Sequence, residues 1–149
     1  MFKHILIPTD GSKLSEAALH AGLQLAKEQG SEVTVLYVMP DYSAMMYSSE
    51  GMVGYNPAEL RKDAEKTADK VLQAVQEMAK AEGVECKTAR TMNFSVHQAI
   101  IQQAKDSDCD LICMASHGRK GIAGILLGSE TQRVLVNSSI PVLVHRPKV

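Results

Sequence analysis

The sequence has 149 residues, of which 45% are hydrophobic and 22% are charged, and its formal net charge is −1. A chain of this length fits one domain with a buried core, and this composition argues against intrinsic disorder. The near-neutral charge excludes the strongly basic surface that drives nucleic-acid binding. We therefore expect a single domain over residues 1–149 that does not bind nucleic acid.

The compartment is indicated by the cysteines and by the lack of long apolar runs. Cys86, Cys109 and Cys113 are odd in number and form no CxxC pair, which favours reduced core or strand positions over disulfides or metal ligands. The apolar run at the N-terminus is too short for a signal peptide, and no stretch approaches the roughly 18 residues of a membrane span. The sequence predicts a cytoplasmic protein without membrane contact.

Strand and helix signals alternate from the start of the chain. A first strand is predicted over 3–9, followed by a helix that Ser12 caps and Gly30 ends, and then by a β-branched strand over 32–38. The helix stripe predicted to face the core consists of Leu14, Ala18, Ala21 and Leu25.

Residues 41–56 interrupt this alternation with three methionines and three tyrosines among serines and glycines. Segments of this length without periodicity are usually functional or disordered. Two interpretations stay open: a flexible surface loop, and a lid over a ligand or a partner contact.

The alternation then resumes. Asn56 and Pro57 predict the start of a helix that ends at Gly83, with Ala64, Ala68, Val71, Val75 and Met78 facing inward. An edge strand is predicted over 84–91, and the helix after it has a capping box of Ser95 and Gln98. The inner face of that helix is predicted to consist of Ile100, Ile101 and Ala104. The last three elements are a buried strand over 110–115, a helix over 129–138 and a strand over 140–145. This order predicts an α/β domain with a mostly parallel sheet and helices on both faces.

A glycine-rich turn follows the buried strand at 110–115. Gly118, Gly121, Gly124 and Gly128 surround the cations Arg119 and Lys120, and a capping box of Ser129 and Gln132 predicts that a helix begins after Gly128. Small residues let backbone N–H groups approach an anion, and a helix start adds unpaired donors and partial positive charge. The turn therefore suits phosphate groups, although neither a Walker A loop nor GxGxxG is present, and a plain surface loop is the alternative.

A second candidate group follows the first strand. Ligands of open parallel sheets bind at the carboxyl ends of strands, where the strand order reverses. Asp10 lies at such an end, where its carboxylate suits hydrogen bonds from a ribose or a divalent metal on phosphates. A role in capping the helix turn is equally open.

The last strand predicts the quaternary structure. Pro141 cannot donate within a central ladder, which indicates an edge strand, yet Ile140, Val142 and Val144 form an apolar segment without a charged residue. Pairing with its own copy across a two-fold axis would cover that edge. We expect a homodimer through Ile140, Val142 and Val144.

Four blocks carry a family resemblance: ILIPTDGS at 5–12, MASHGR at 114–119, LLGS at 126–129 and IPVLV at 140–144. Together they resemble the universal stress protein family over nearly the whole chain. The resemblance implies a single-domain, Rossmann-like, five-stranded parallel sheet of order 3-2-1-4-5. It also implies dimers through the last strand and a cytoplasmic role in the stress response.

The family has an ATP-binding branch marked by G-x-x-G-x9-G-[ST]. Here the frame runs from Ala115 through Gly118 to Gly128 and Ser129, so the spacing is kept while alanine replaces the first glycine. By position, the resemblance implies contacts to ATP, with Mg²⁺ or Mn²⁺, from Pro8, Thr9, Asp10, Val38, Met114, Ala115, Gly118, Arg119, Gly128, Ser129 and Thr131. Gly118, Gly128 and Ser129 would contact the phosphates, and Thr131 would add a hydroxyl or an amide near the same helix start. The others would line the adenosine or offset charge.

Catalytic signals are sparse. His117 is the histidine of the turn, and the other histidines, His4, His20, His97 and His145, show no metal-ligand spacing. We therefore expect a nucleotide-responsive stress or regulatory module with at most slow hydrolysis, and not a dedicated enzyme. The alternatives are a genuine slow ATPase, a dimeric interaction protein of the same fold without nucleotide, and an FMN carrier, which the absence of tryptophan disfavours.

Overall fold

The fold is that of a computed structural model which describes residues 1–39, 56–117 and 127–147. The described elements are β1 (His4–Thr9), α1 (Lys13–Gln29), β2 (Glu32–Met39), α2 (Pro57–Glu82), β3 (Cys86–Met92), α3 (Val96–Asp106), β4 (Leu111–Ala115), α4 (Ser129–Asn137) and β5 (Val142–His145). The loop predicted over 41–56, apart from Asn56, and the glycine-rich turn at 118–126 lie outside the described residues.

All neighbouring strands of the sheet are parallel, and their order is β3-β2-β1-β4-β5. The predicted fold class and strand order are confirmed. β3 and β5 form the two edges of the sheet, as the alternation in β3 and the proline before β5 predict. Pro141 immediately precedes β5, and its carbonyl accepts a hydrogen bond from Ile112 N at 2.9 Å.

The core consists of two apolar layers, one on each face of the sheet. Successive residues of a strand point to opposite faces, so Ile5 and Ile7 pack with α1 and α2, while Leu6 packs with α3 and α4. All three side chains are fully buried. Each such side chain contributes about 1.5–3 kcal/mol through its removal from water.

The ends of α1 and α2 follow the sequence signals. The Ser12 hydroxyl accepts a hydrogen bond from the amide three residues on at 3.2 Å, and the Asn56 side chain accepts one from the amide two residues on at 2.9 Å. Gly30 and Gly83 end the helices with φ of 71° and 74°, in the left-handed region that glycine tolerates best. These four predicted caps are confirmed.

The capping box predicted for Ser129 and Gln132 is wrong. Gly128 is the N-cap of α4 and Ser129 is its first helical residue, so the Ser129 hydroxyl does not cap the helix. The Gln132 side chain instead donates from Nε2 to the carbonyl of Leu127 at 2.9 Å. A glutamine offers a donor as well as an acceptor, and here its donor is the group used.

The capping box predicted for Ser95 and Gln98 is also wrong. Ser95 does occupy the N-cap position of α3, but its hydroxyl lies 3.2 Å from Nδ1 of His97 and makes no bond to a helix amide. A neighbouring helix supplies the missing acceptor, because Oε2 of Glu130 accepts from His97 N at 3.0 Å.

The buried stripe of α1 is shifted from the predicted one. Of the predicted residues only Ala18 is buried, whereas Leu14, Ala21 and Leu25 are half-buried. The observed stripe is Ser15, Ala18, Leu19, Gly22, Leu23 and Ala26. Gly22 centres the contact, since a Cβ added there would lie 2.5 Å from Cδ1 of Ile7. Because Gly22 has no side chain, α1 approaches β1 closely. A search for periodic apolar residues does not detect a glycine in this role.

The inner faces of the other helices and the element boundaries differ less from the prediction. Ala64, Ala68 and Val75 are buried as predicted, whereas Leu72 and Ala79 replace Val71 and Met78, which are half-buried. The predicted inner face of α3, Ile100, Ile101 and Ala104, is confirmed. β3 begins two residues later than predicted, because Val84 N donates to Ala79 O and completes the end of α2.

Asp110 fastens the amino ends of β1 and β4 to each other. Its carboxylate accepts from Lys3 N at 2.9 and 3.1 Å and from His4 N at 3.0 Å, and its own N–H donates to His4 O at 2.9 Å. Partial desolvation alone would raise the pKa of this carboxyl, but the hydrogen bonds from Lys3 and His4 outweigh it and the pKa is lowered. The charged form is therefore favoured in the folded chain.

Asp110→Asn should lower the free energy of unfolding by about 1–2 kcal/mol at pH 7, because charge-assisted hydrogen bonds are lost. The folded pKa is depressed, so this contribution is present above the ordinary carboxyl pKa and is lost as the pH falls below about 4. Urea unfolding at pH 7, 5 and 3 should show the difference from wild type shrinking towards pH 3. Asp63→Asn, at an exposed site on α2, is the matched control, and a difference independent of pH would contradict this account.

Gly22→Ala should lower the free energy of unfolding by about 1 kcal/mol, because overpacking against Ile7 exceeds the gain in helix propensity. In an Ile7→Val background, which removes the clashing Cδ1, the same change should cost measurably less. A double-mutant cycle by chemical denaturation measures this coupling. Gln24→Ala, at an exposed position of α1, should change stability by no more than about 0.5 kcal/mol. If Gly22→Ala lowered the free energy of unfolding equally in the wild-type and Ile7→Val backgrounds, the close approach of α1 to Ile7 would be refuted.

Candidate functional site

The candidate site lies between the carboxyl ends of β1 and β4, a region called the crevice below. The ladder between these strands consists of Ile5↔Leu111 and Leu6↔Ile112 and then stops, although both strands continue for three more residues. The strand order reverses at this pair, because β2, which follows β1 in the chain, lies on one side of it and β5, which follows β4, lies on the other. A crevice at such a reversal is where open α/β sheets bind ligands.

Pro8 explains why the ladder stops. The carbonyl of His4 accepts from Asp110 N, so alternation along β1 turns the main-chain groups of residues 4, 6 and 8 towards β4. Proline has no N–H to donate at position 8. The strands are therefore free to separate beyond Leu6, and on its other side β1 stays paired with β2 up to Thr9↔Tyr37.

Hydrogen bonds fix the turn after β1. The Thr9 hydroxyl accepts from Gly11 N at 3.2 Å and lies 3.0 Å from the Ser15 hydroxyl, while Oδ1 of Asp10 accepts from Ser12 N at 2.8 Å. Thr9 and Ser15 are both buried. The turn-capping role considered for Asp10 is thus confirmed.

Ser15 is a positioning residue that the sequence analysis missed. Besides its contact with Thr9, its hydroxyl donates to Ser12 O at 2.9 Å, so it joins the end of β1 to the first turn of α1. The signal was present as a serine three positions after an N-cap serine, where a hydroxyl can reach the turn that precedes the helix.

The start of α4 is fastened to the end of β4. Ser116, directly after β4, accepts from Gly128 N at 2.6 Å, and the Thr131 hydroxyl donates to Ala115 O at 2.9 Å. Ser116 and Thr131 are 2% and 3% exposed. The hydroxyl considered as a phosphate contact at Thr131 is therefore buried in a bond to the main chain, which leaves its amide as the group to consider.

The first turn of α4 presents main-chain donors beside the crevice. The N–H groups of Ser129, Glu130 and Thr131 precede the first intrahelical bond, Gln132 N to Gly128 O at 3.0 Å. These N–H groups and the positive end of the helix dipole favour an anion. Gly118 and Arg119, also predicted to act here, lie outside the described residues.

The side chains of Met114 and Val38, which are predicted to lie on the base side, pack into the core. Met114 is 6% exposed and packs into the core layer of α3 and α4 with Val134. Val38 is half-buried against the same layer, and β2 extends two residues past Tyr37, the last residue paired with β1. The backbone of Val38 therefore lies beyond the end of β1, next to the crevice.

Serine hydroxyls lie beside the rings of His117 and His97. The Ser116 hydroxyl lies 3.0 Å from Nδ1 of His117. Ser95 and Glu130 both face Nδ1 of His97, at 3.2 and 3.6 Å, so they cannot act on opposite nitrogens as a serine triad requires. Across residues 1–39, 56–117 and 127–147, no group of three or more His, Cys, Asp or Glu side chains is arranged to hold a metal ion.

The universal stress protein family matches residues 1–146. The chain is 34% identical to the universal stress protein YxiE of Bacillus subtilis over 150 residues, which covers 98% of this chain and 100% of that protein. The structure of MJ0577, a universal stress protein of Methanocaldococcus jannaschii, covers 100% of this chain and 99% of its own with a TM-score of 0.85 and 30% identity.

Two further structures share the fold at lower identity. A universal stress protein in complex with cAMP has a TM-score of 0.73 and 22% identity, and covers 99% of both chains. A universal stress protein of Archaeoglobus fulgidus in complex with dAMP has a TM-score of 0.63 and 18% identity, and covers 98% of both chains.

None of the helices described here combines the length and apolar character needed to cross a bilayer. From the family match over residues 1–146 and the 34% identity to YxiE, the chain belongs to the universal stress protein family.

Proposed function

We propose that this chain binds ATP in the crevice between β1 and β4 and acts as a nucleotide-responsive stress or regulatory module with at most slow hydrolysis. The observation that carries the proposal is the ladder that stops at Leu6↔Ile112, beside a helix start fastened to the end of β4. The open strand ends leave room for the nucleoside, and the helix start offers donors to phosphate.

Each predicted residue has a defined part in this proposal. The amides of Ser129 and Thr131 bind phosphate oxygens. The N–H of Gly128 donates to Ser116 O, so Gly128 contacts the phosphates only through its lack of a side chain. Gly118 and Arg119 are assigned to the same turn from the family resemblance. Pro8, Thr9 and Asp10 line the adenosine, while Val38, Met114 and Ala115 offer main-chain groups to the base and ribose. Ala115 ends β4 and is buried, so the methyl group that replaces the family glycine is accommodated in strand geometry.

The relatives support an adenine nucleotide as the ligand class. Complexes with cAMP and dAMP exist within the same fold, although at 22% and 18% identity they support the fold more strongly than the ligand. The kept spacing of the ATP-binding frame, from Ala115 to Ser129, favours a triphosphate.

A divalent cation, Mg²⁺ or Mn²⁺, fits this proposal only together with phosphate oxygens. Asp10 is the acidic side chain at the mouth of the crevice, and its Oδ1 already accepts from Ser12 N. One carboxylate is enough for a cation that keeps several waters and takes its other ligands from phosphates.

The assembly proposed is a cytoplasmic homodimer through β5. Pro141 and His145 turn their carbonyls towards β4, so by alternation the main-chain groups of Val142 and Val144 face the outer edge. The side chains of Ile140 and Val142 pack against the core of their own chain, and Leu143 is 44% exposed. The pairing would therefore rest on main-chain hydrogen bonds, with Leu143 supplying apolar area.

A genuine slow ATPase is the second candidate, favoured by Asp10 and His117 at the two sides of the crevice. It requires Mg²⁺-dependent phosphate release that substitution of either residue abolishes. A dimeric interaction protein without nucleotide is the third candidate, and it requires that the purified chain neither retains nor binds ATP, ADP or AMP.

Ser129→Asp should lower the affinity for ATP at least tenfold, because a carboxylate at the helix start repels phosphate. The same change should leave stability equal or higher, since an acidic residue in the first turn favours the helix dipole. Ser129→Asn, of the same shape without the charge, is the control and should bind within about threefold of wild type. Calorimetric titration and thermal unfolding measure both effects, and mass spectrometry of the denatured wild type identifies any retained nucleotide. Equal ATP affinity in all three proteins would refute the phosphate assignment.

Val144→Pro should dissociate the dimer, because it removes an N–H from the outer edge of β5 while leaving the bonds to β4 in place. Val144→Ala, which keeps the N–H, should stay dimeric. Sedimentation velocity over a hundredfold concentration range distinguishes the two. A wild-type monomer at every concentration would exclude the assembly.

A further inference from the structure

The observation behind a further inference is a contact between the first turns of α3 and α4. Glu130 is the second residue of α4, between the two residues proposed to bind phosphate through their amides. Its Oε2 accepts from His97 N at 3.0 Å, and its Oε1 accepts from Nη1 of Arg133 at 2.6 Å. His97 is in turn the second residue of α3. One carboxylate thus joins the starts of two neighbouring parallel helices.

The contact replaces a cap that α3 lacks. The hydroxyl of Ser95, at the N-cap, is directed to the His97 ring and makes no bond to a helix amide. An uncapped helix start loses stability, typically by about 1 kcal/mol. The carboxylate of Glu130 accepts a hydrogen bond from His97 N, one of the first-turn amides of α3 that have no partner within the helix, and also interacts favourably with the dipole of α3. The His97 side chain is 20% exposed and that of Glu130 36%, so the contact is partly shielded from water.

The placement of this charge bears on phosphate binding. A carboxylate in the first turn of α4 would compete with an anion for the same amides and the same dipole. Its bond to His97 N directs Glu130 towards α3, away from its own helix start. The bond to Arg133 lies within α4 on an exposed surface, where ion pairs contribute little. Of the two bonds that the Glu130 carboxylate makes, the one to His97 N therefore links α4 to a second helix, in addition to the bonds that fasten the start of α4 to β4.

We infer that Glu130 is a positioning residue: it holds the first turn of α4 against the first turn of α3, and so sets the amides that receive the phosphates. This inference rests on the proposed function and extends it to a side chain that makes no contact with the ligand. The role requires a hydrogen-bond acceptor at position 130 and does not require a charge.

The test compares Glu130→Ala, Glu130→Gln and Arg133→Ala with wild type, using the full chain and calorimetric titration with ATP and with adenosine. Glu130→Ala should weaken ATP binding about tenfold, equivalent to about 1.4 kcal/mol, and leave adenosine binding within twofold. Glu130→Gln keeps an acceptor for His97 N and should restore ATP affinity to within threefold. Arg133→Ala, which leaves that bond intact, should bind as wild type does, and so should Glu77→Ala on the exposed face of α2.

Three results would overturn the inference. Unchanged ATP affinity in Glu130→Ala would remove the role altogether. Equal losses for ATP and adenosine would indicate general damage to the fold. Tighter ATP binding in both Glu130 variants would show that the charge opposes phosphate and that the contact with α3 does not matter.

A wild type that binds neither ligand would contradict the proposed function, and hydrogen–deuterium exchange then decides the present inference. Amides of residues 95–99 should exchange faster in Glu130→Ala than in Glu130→Gln, because only the alanine variant leaves His97 N without its acceptor. Equal exchange rates in the two variants would refute the link between α3 and α4.

Discussion

The proposed site depends on a hydrogen bond that cannot form. Residue 8 of β1 turns its main-chain nitrogen towards β4, and because that residue is proline β1 offers β4 no donor beyond Leu6. In most parallel sheets an interior gap of this kind would cost stability. Here it falls at the carboxyl end of the pair, where the strand order reverses and a ligand can occupy the space.

The opposite end of the same pair shows the complementary constraint. Asp110 holds the amino ends of β1 and β4 together with hydrogen bonds to two consecutive amides, across 107 and 106 residues of sequence. The pair is therefore closed at one end and open at the other. Gly22 permits α1 to lie close against Ile7 and Cys113 and thus covers one face of this central pair.

Main-chain groups make up most of the site, and buried side chains hold them in place. The Thr131 hydroxyl binds the carbonyl of Ala115, the Ser15 hydroxyl binds the turn after β1, and the carboxylate of Glu130 binds the start of α3. These bonds position amides and carbonyls, which suit the nucleotide of the proposed function. Fast hydrolysis needs in addition a positioned base and a charge clamp.

The sequence by itself determined the α/β class and both edge strands, because hydrophobic periodicity and proline act locally. It also determined the caps at Ser12, Gly30, Asn56 and Gly83, where each cap depends on one residue and its own helix. The strand order and much of the ligand assignment came from the family motifs. The tertiary structure alone decided that Ser95 and Ser129 do not cap their helices, that the Thr131 hydroxyl is buried, and that α1 turns the stripe through Gly22 to the core. Those outcomes depend on partners distant in sequence, such as Glu130 for α3 and Ile7 for α1. A local sequence pattern does not indicate which distant residue will contact a given helix.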